Sequence, residues 1–185
     1  NAYTGPIYTH DATADLLPVM LEDAASLAEM DAERRNRFHK DGHSNHRPLF
    51  TRKDAGDVVR LLVGMAYRGQ RQIFPGVSVT LNEAGHILGS ASVRVQAEEN
   101  GKIRTLVFSG DVGPKGTPIL CDPDPFAAAD LVVAMGGYNS VCEILGYRKR
   151  AIIVPRSVPV REQRIRAEAM ARLGLLSMIP LERLD

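Results

Sequence analysis

Cysteine is scarce in this chain of 185 residues: only Cys121 and Cys142 occur, and no Cys-x-x-Cys pair. That pattern gives no disulfide framework and no thiolate metal knuckle. No run of about 18 apolar residues is present and no signal-peptide pattern opens the chain, so a soluble, cytoplasmic protein without a membrane partner is expected. The formal net charge is only +1, which selects neither for nor against a nucleic-acid partner. Internal repeats and low-complexity tracts are missing as well. The chain opens on Asn1 without an initiator methionine, so a segment upstream is expected.

What is present is a 44% apolar content, enough for a core at this length. Charge is distributed unevenly. Residues 1–133 carry 14 basic and 17 acidic side chains, whereas residues 134–185 carry 9 and 5. This shift coincides with the stretch AADLVVAMGGYNSVCE, where an apolar strand runs into Gly136-Gly137.

Local patterns predict a mixed α/β chain. TGPIYTH reads as a short strand, and Asp11 to about Lys40 as a helix with Leu16, Leu17, Met20, Leu21, Ala24 and Leu27 close to one face. HKDGHSNHRP is polar and turn-rich, hence a loop. Thr51-x-x-Asp54 is a capping-box start for a helix through Leu62. VSVTL, SASVRVQA and IRTLVFSG alternate as half-buried strands, with Asn100-Gly101 as a tight hairpin turn between the last two. After Asp130 the pattern becomes strand-turn-helix: LVVAM, NSVCEILG, AIIVP and REQRIRAEAMARLG form half of a doubly wound unit.

Two turns carry chemistry in the first part. His86 lies in NEAGHILGSA between two strands, and Asp111 lies in LVFSGDVG at the end of another. An imidazole and a carboxylate on strand-end loops suit a divalent metal, which lowers the pKa of bound water to about 7. The same residues also suit a hydrogen-bonded loop and a turn cap, and the residues alone leave both open.

Residues 1–133, through GPIYTHDATADLLPVMLEDAA, PLFTRKDAGDVV, NEAGHILGSASV, LVFSGDVG and ILCDPDPFAAADLVV, resemble the RNA-processing metallo-β-lactamase-fold nucleases that carry a helicase-like cap. The resemblance implies that His86 is a metal ligand, that Asp111 bridges two metals, and that both are catalytic, with zinc or manganese as cofactor. It implies an ester, phosphodiester or RNA substrate. GHSNH also resembles family sequence, so His43 and His46 need no metal role. The family's His-x-His-x-Asp-His cluster is absent here, and AMGGYNS stands where that family has Glu-Ser-Thr-Tyr-Gly. His86 and Asp111 are two ligands, so a complete dinuclear site needs donors from elsewhere.

Residues 130–185, through MGGYNSVCEIL, RAIIVPR and REQRIRAEAMARLGLL, resemble the donor-binding half of two-Rossmann-domain glycosyltransferases. That likeness implies a nucleotide-sugar site made of Gly136, Gly137, Asn139, Ser140, Glu143, Glu162 and Gln163, with the helix N-terminus facing a diphosphate. The expected fold is a partial metallo-β-lactamase-like sheet with flanking helices, continuing into a half Rossmann-like strand-helix unit. Segments 1–133 and 134–185 would pack as one globular chimera joined near Val133, with a homo-oligomer covering exposed edges. Three function classes follow: a metal-dependent hydrolase, a nucleotide or sugar-nucleotide binder, and a folded domain without activity.

Overall fold

The computed structural model describes residues 3–38, 46–156 and 161–184, and the chain divides into two compact units, residues 1–65 and 66–185. The fold is mixed α/β, with a large sheet flanked by helices, as the strand and helix patterns lead one to expect. Among the described residues no helix is long and apolar enough to cross a membrane.

In the first unit, β1 (Ile7–His10) pairs in parallel with β2 (Leu62–Met65), and α1 (Asp11–Phe38) and α2 (Arg52–Val59) connect them. The Thr51 cap forms as a capping box: its hydroxyl accepts from the Asp54 N–H, and the Asp54 carboxylate accepts from the Thr51 N–H at 2.8 Å. Arg52 anchors α2 to α1 through Glu29 and Ser26. The helix stops at Val59 rather than running to Leu62, because Leu62–Met65 pairs with β1 instead. Most of the polar HKDGHSNHRP loop, including His39 and His43, lies outside the described residues. At its far end the Asn36 side chain donates to the His46 carbonyl and accepts from the His46 N–H, at 3.0 and 2.8 Å.

The second unit is a seven-stranded sheet in the order β3 (Gln70–Phe74), β4 (Val77–Glu83), β5 (Ala91–Glu99), β6 (Lys102–Phe108), β7 (Leu131–Ala134), β8 (Ala151–Ile153) and β9 (Ser177–Met178). Strands β3 to β6 are an antiparallel meander, while β6 to β9 are parallel. The Asn100-Gly101 turn has φ of 52° and 72°, both positive, and it sets the register Glu99↔Lys102.

Sequential parallel strands joined by helices are right-handed crossovers, which place α3 (Tyr138–Gly146) and α4 (Glu162–Arg172) on one face. Alternation along β7 and β8 then selects Val132, Ala134, Ala151 and Ile153 for that face. They pack with Ile144 of α3 and Ala167 of α4, and Ile144 and Ile153 are completely buried. Each such isoleucine contributes roughly 1.5–3 kcal/mol of burial. The charge shift near residue 133 falls inside β7, which pairs with β6 on one side and β8 on the other.

Candidate active site

Strand direction decides where the candidate groups gather. β4, β6, β7 and β8 run the same way, so the turns that follow them all lie at one edge of the sheet. Those turns are Ala84–Ser90, Ser109–Gly116, Met135–Gly137 and Val154–Arg156. A parallel sheet collects its ligands at this C-terminal edge.

The His86 and Asp111 turns touch each other through backbone. The Gly113 N–H donates to the Ala84 carbonyl at 2.8 Å. A β-carbon placed on Gly113 would sit 1.8 Å from the Gly85 oxygen and 2.8 Å from the His86 Cα, so only glycine allows this approach. The side chains of His86 and Asp111 are both exposed. The fold thus brings the two sequence-predicted residues to one place on adjoining loops.

The His86 turn is held from beneath. Glu83, 8% exposed, accepts the Gly85 N–H at 2.9 Å. The Ser90 hydroxyl oxygen accepts from the His86 and Ile87 amides at 3.1 and 3.2 Å. Tyr67 donates to the Ser90 carbonyl at 2.8 Å, and burial, reinforced by the nearby Glu83 carboxylate, pushes the tyrosine hydroxyl up to about 12. Asp124 accepts the Glu83 N–H at 3.0 Å and pairs with Arg68 at 2.7 Å. Sequence reasoning missed Glu83, Tyr67 and Asp124. One signal was available: Val77, Val79, Leu81 and Glu83 share a phase in β4, and a carboxylate closes an otherwise apolar row.

Among the described residues no three His, Cys, Asp or Glu side chains stand together so as to hold a metal ion. His86 and Asp111 are two donors, and a zinc site usually takes at least three protein ligands. The described residues therefore do not fit a metal centre by themselves.

The residues of the Gly136 turn are engaged within the protein. Gly136 has φ of 85°, and its missing β-carbon would lie 2.9 Å from Ile153. Its carbonyl accepts from Arg166 at 2.8 Å, while Arg166 also pairs with Glu162 and lies over the Tyr138 ring. Gly137 forms the N-cap of α3, with no side-chain cap bond. Asn139 donates to the Val112 carbonyl at 2.9 Å and Ser140 is buried. Glu143 pairs with Lys115 at 2.9 Å, which raises the lysine's pKa, and Gln163 accepts from the Arg156 N–H at 3.2 Å. Beside the Gly110 turn lies a mostly apolar cavity of about 490 Å³, lined by Phe108, Met135, Val154 and Leu181, with Arg156 at its wall.

No protein-family model matches the chain. It is 35% identical over 137 residues to a protein of Thermus thermophilus named Ribonuclease TTHA0252, covering 74% of this chain and 27% of that protein. It is 30% identical over 111 residues to Transcription termination factor FttA of Pyrococcus abyssi, 60% of this chain and 15% of the relative. It is also 27% identical over 112 residues to Probable RNase MJ4 of Methanocaldococcus jannaschii, 60% of this chain and 22% of the relative. None of these three is named as a glycosyltransferase. The chain spans between 15% and 27% of the length of these relatives, and what it resembles is a set of proteins named as ribonucleases and a transcription termination factor.

Proposed function

We propose that this chain is part of a nuclease-like hydrolase that cleaves phosphodiester bonds in RNA, with His86 and Asp111 at its centre. The observation that carries the reading is the backbone contact between the two turns at Gly113, which sets an imidazole and a carboxylate on adjoining loops at the C-terminal edge of the sheet. The ribonuclease and termination-factor names of its relatives support RNA over other esters.

Zinc or manganese is the cofactor this reading implies, and such an ion supplies hydroxide near neutral pH. His86 and Asp111 give it two donors, so further donors come from outside the described residues. A second copy of the chain is one source, which makes an oligomer part of the proposal. The donor-sugar reading of the Gly136 turn has less behind it. Asn139 and Gln163 each commit a polar atom, to Val112 and Arg156 respectively, and Glu143 pairs with Lys115 through Oε1 while its buried Oε2 has no hydrogen-bond partner.

The test uses the purified chain loaded separately with zinc and with manganese. Bound metal is measured by elemental analysis, and hydrolysis of labelled single-stranded RNA is followed in parallel. His86→Ala and Asp111→Ala should each lower both signals about tenfold or more while Tm moves by roughly 2 °C or less, since both side chains are exposed. Less than about half an equivalent of metal, together with RNA cleavage unchanged in both variants, overturns the proposal. A thermal shift with uridine diphosphate that Gly137→Val abolishes would favour the nucleotide-binding reading in its place.

A further inference from the structure

Three features support the His86 turn: a buried carboxylate beneath it, a tyrosine bonded to Ser90 at its end, and an ion pair that fixes the backbone of the carboxylate. Glu83 is the last residue of β4 and 8% exposed. A carboxylate with so little access to water is tolerated where donors surround it. Here Oε1 accepts the Gly85 N–H at 2.9 Å, one residue before His86. The Glu83 backbone is fixed twice by Asp124, whose carboxylate accepts the Glu83 N–H at 3.0 Å and whose own N–H donates to the Glu83 carbonyl at 2.8 Å. Asp124 in turn takes three hydrogen bonds from the Arg68 guanidinium, two of them shared by Nε. On the far side of the turn, the Tyr67 hydroxyl donates to the Ser90 carbonyl, and the Ser90 side chain accepts the His86 amide.

Both ends of the turn are therefore tied down, and His86 lies between the ties with its side chain free to the solvent. Gly85 makes the arrangement demanding. Its φ is 62°, and its backbone runs against the Cys121 carbonyl and Pro123, so the turn cannot relax toward that side. Gly113 closes the opposite side. The bond from the Gly85 N–H to Glu83 is the tie nearest the Cα of His86 on the β4 side.

We propose that Glu83 is a positioning residue for His86: its carboxylate, carried on a backbone that Asp124 holds, fixes the Ala84–Gly85 peptide just before His86 so that the imidazole projects beside the Asp111 turn. The proposal rests on the reading of His86 as a site residue, and its two readouts separate the two ideas.

The first readout is amide hydrogen exchange in the full chain, followed by NMR. Glu83→Ala should speed exchange at Gly85, His86 and Ile87 roughly tenfold while Val132 and Val133 in β7 stay unchanged. Glu83→Gln, which keeps an oxygen acceptor, should return these amides to within about threefold of the original rate. Tyr67→Phe removes the hydroxyl that ties Ser90 and also faces Glu83, and should speed His86 and Ile87 more than Gly85. Unchanged exchange at Gly85 in Glu83→Ala, or a rise spread evenly over the whole sheet, overturns the positioning role. The second readout is manganese-induced broadening of the His86 ring resonances. Its midpoint should move about tenfold in Glu83→Ala and recover in Glu83→Gln. If manganese does not broaden His86 in the unaltered chain, the assignment of His86 to the site falls, and the exchange rates alone decide the role of Glu83.

Discussion

At Gly113 the contact between the two candidate turns is made of backbone, so the geometry of the site depends on a side chain that is not there. A methyl group at this position would sit 1.8 Å from the Gly85 oxygen, a clash that no rotamer change can relieve. Overpacking of this kind costs about 1–3 kcal/mol and at times more. Gly113→Ala is therefore expected to lower Tm by roughly 3–10 °C and to weaken any metal or RNA signal along with it. A melting curve displaced by about 1 °C or less would mean that the two turns are not in contact. His86 and Asp111 were legible in the sequence because each is flanked by glycines at a strand end, a local pattern. Glu83 was legible only as a carboxylate in the otherwise apolar phase of β4, and Tyr67 and Asp124 reach its turn from loops distant in sequence, which no local pattern records.

Among the elements, α2 shows how local chemistry and open space combine. Its N-terminus is closed by the reciprocal Thr51–Asp54 capping box, and the Asp54 carboxyl is held below its ordinary range first by the Thr51 hydroxyl and then by the Thr51 backbone. Gly56, in the interior of the helix, has nothing within 4 Å of the place a β-carbon would take. Opposite effects follow from two single changes. Thr51→Ala removes the cap and should cost about 0.5–2 kcal/mol, whereas Gly56→Ala should gain about 0.5–1 kcal/mol. Exchange of the α2 amides reads both: faster in the first variant, slower in the second. Loss of stability in Gly56→Ala would show that the open side of the helix is occupied. Elements of this sort were readable in advance, as was the β5–β6 hairpin, because a cap or an Asn-Gly turn acts within four residues. The strands β2, β3 and β9 were not. Four residues including Gly64, an exposed QRQIF and a two-residue SM hold their places through distant partners, Ile7–His10, Ser78–Thr80 and Ile152–Ile153, rather than through their own propensity.

For the whole molecule the balance of charge matters less than the edge on which charge is displayed. The net charge of +1 selects neither for nor against nucleic-acid binding, and strand direction sorts the basic residues between the two edges of the sheet. Lys115 follows β6, while Arg156 and Arg161 follow β8, and all three are exposed at the edge that carries His86 and Asp111. Arg148 and Arg150 precede β8 and so belong to the opposite edge. Acidic partners in this part are largely used up, since Glu143 pairs with Lys115, Glu162 with Arg166, and Glu168 and Glu182 with Arg164. With Lys115 paired to Glu143, Arg156 and Arg161 can neutralise about two phosphates if RNA lies across the C-terminal edge. A single strand releases about 0.7 counterion per phosphate, so the logarithm of the binding constant should fall with the logarithm of salt at a slope of roughly −1.4. Arg156→Ala should reduce that slope by about 0.7, and Arg148→Ala should leave it unchanged. Fluorescence anisotropy of a labelled single-stranded oligonucleotide, titrated at four salt concentrations, gives all three slopes. Equal reductions in the two variants would mean that RNA does not choose the edge with the candidate centre, and a slope near zero would remove RNA from consideration as the substrate.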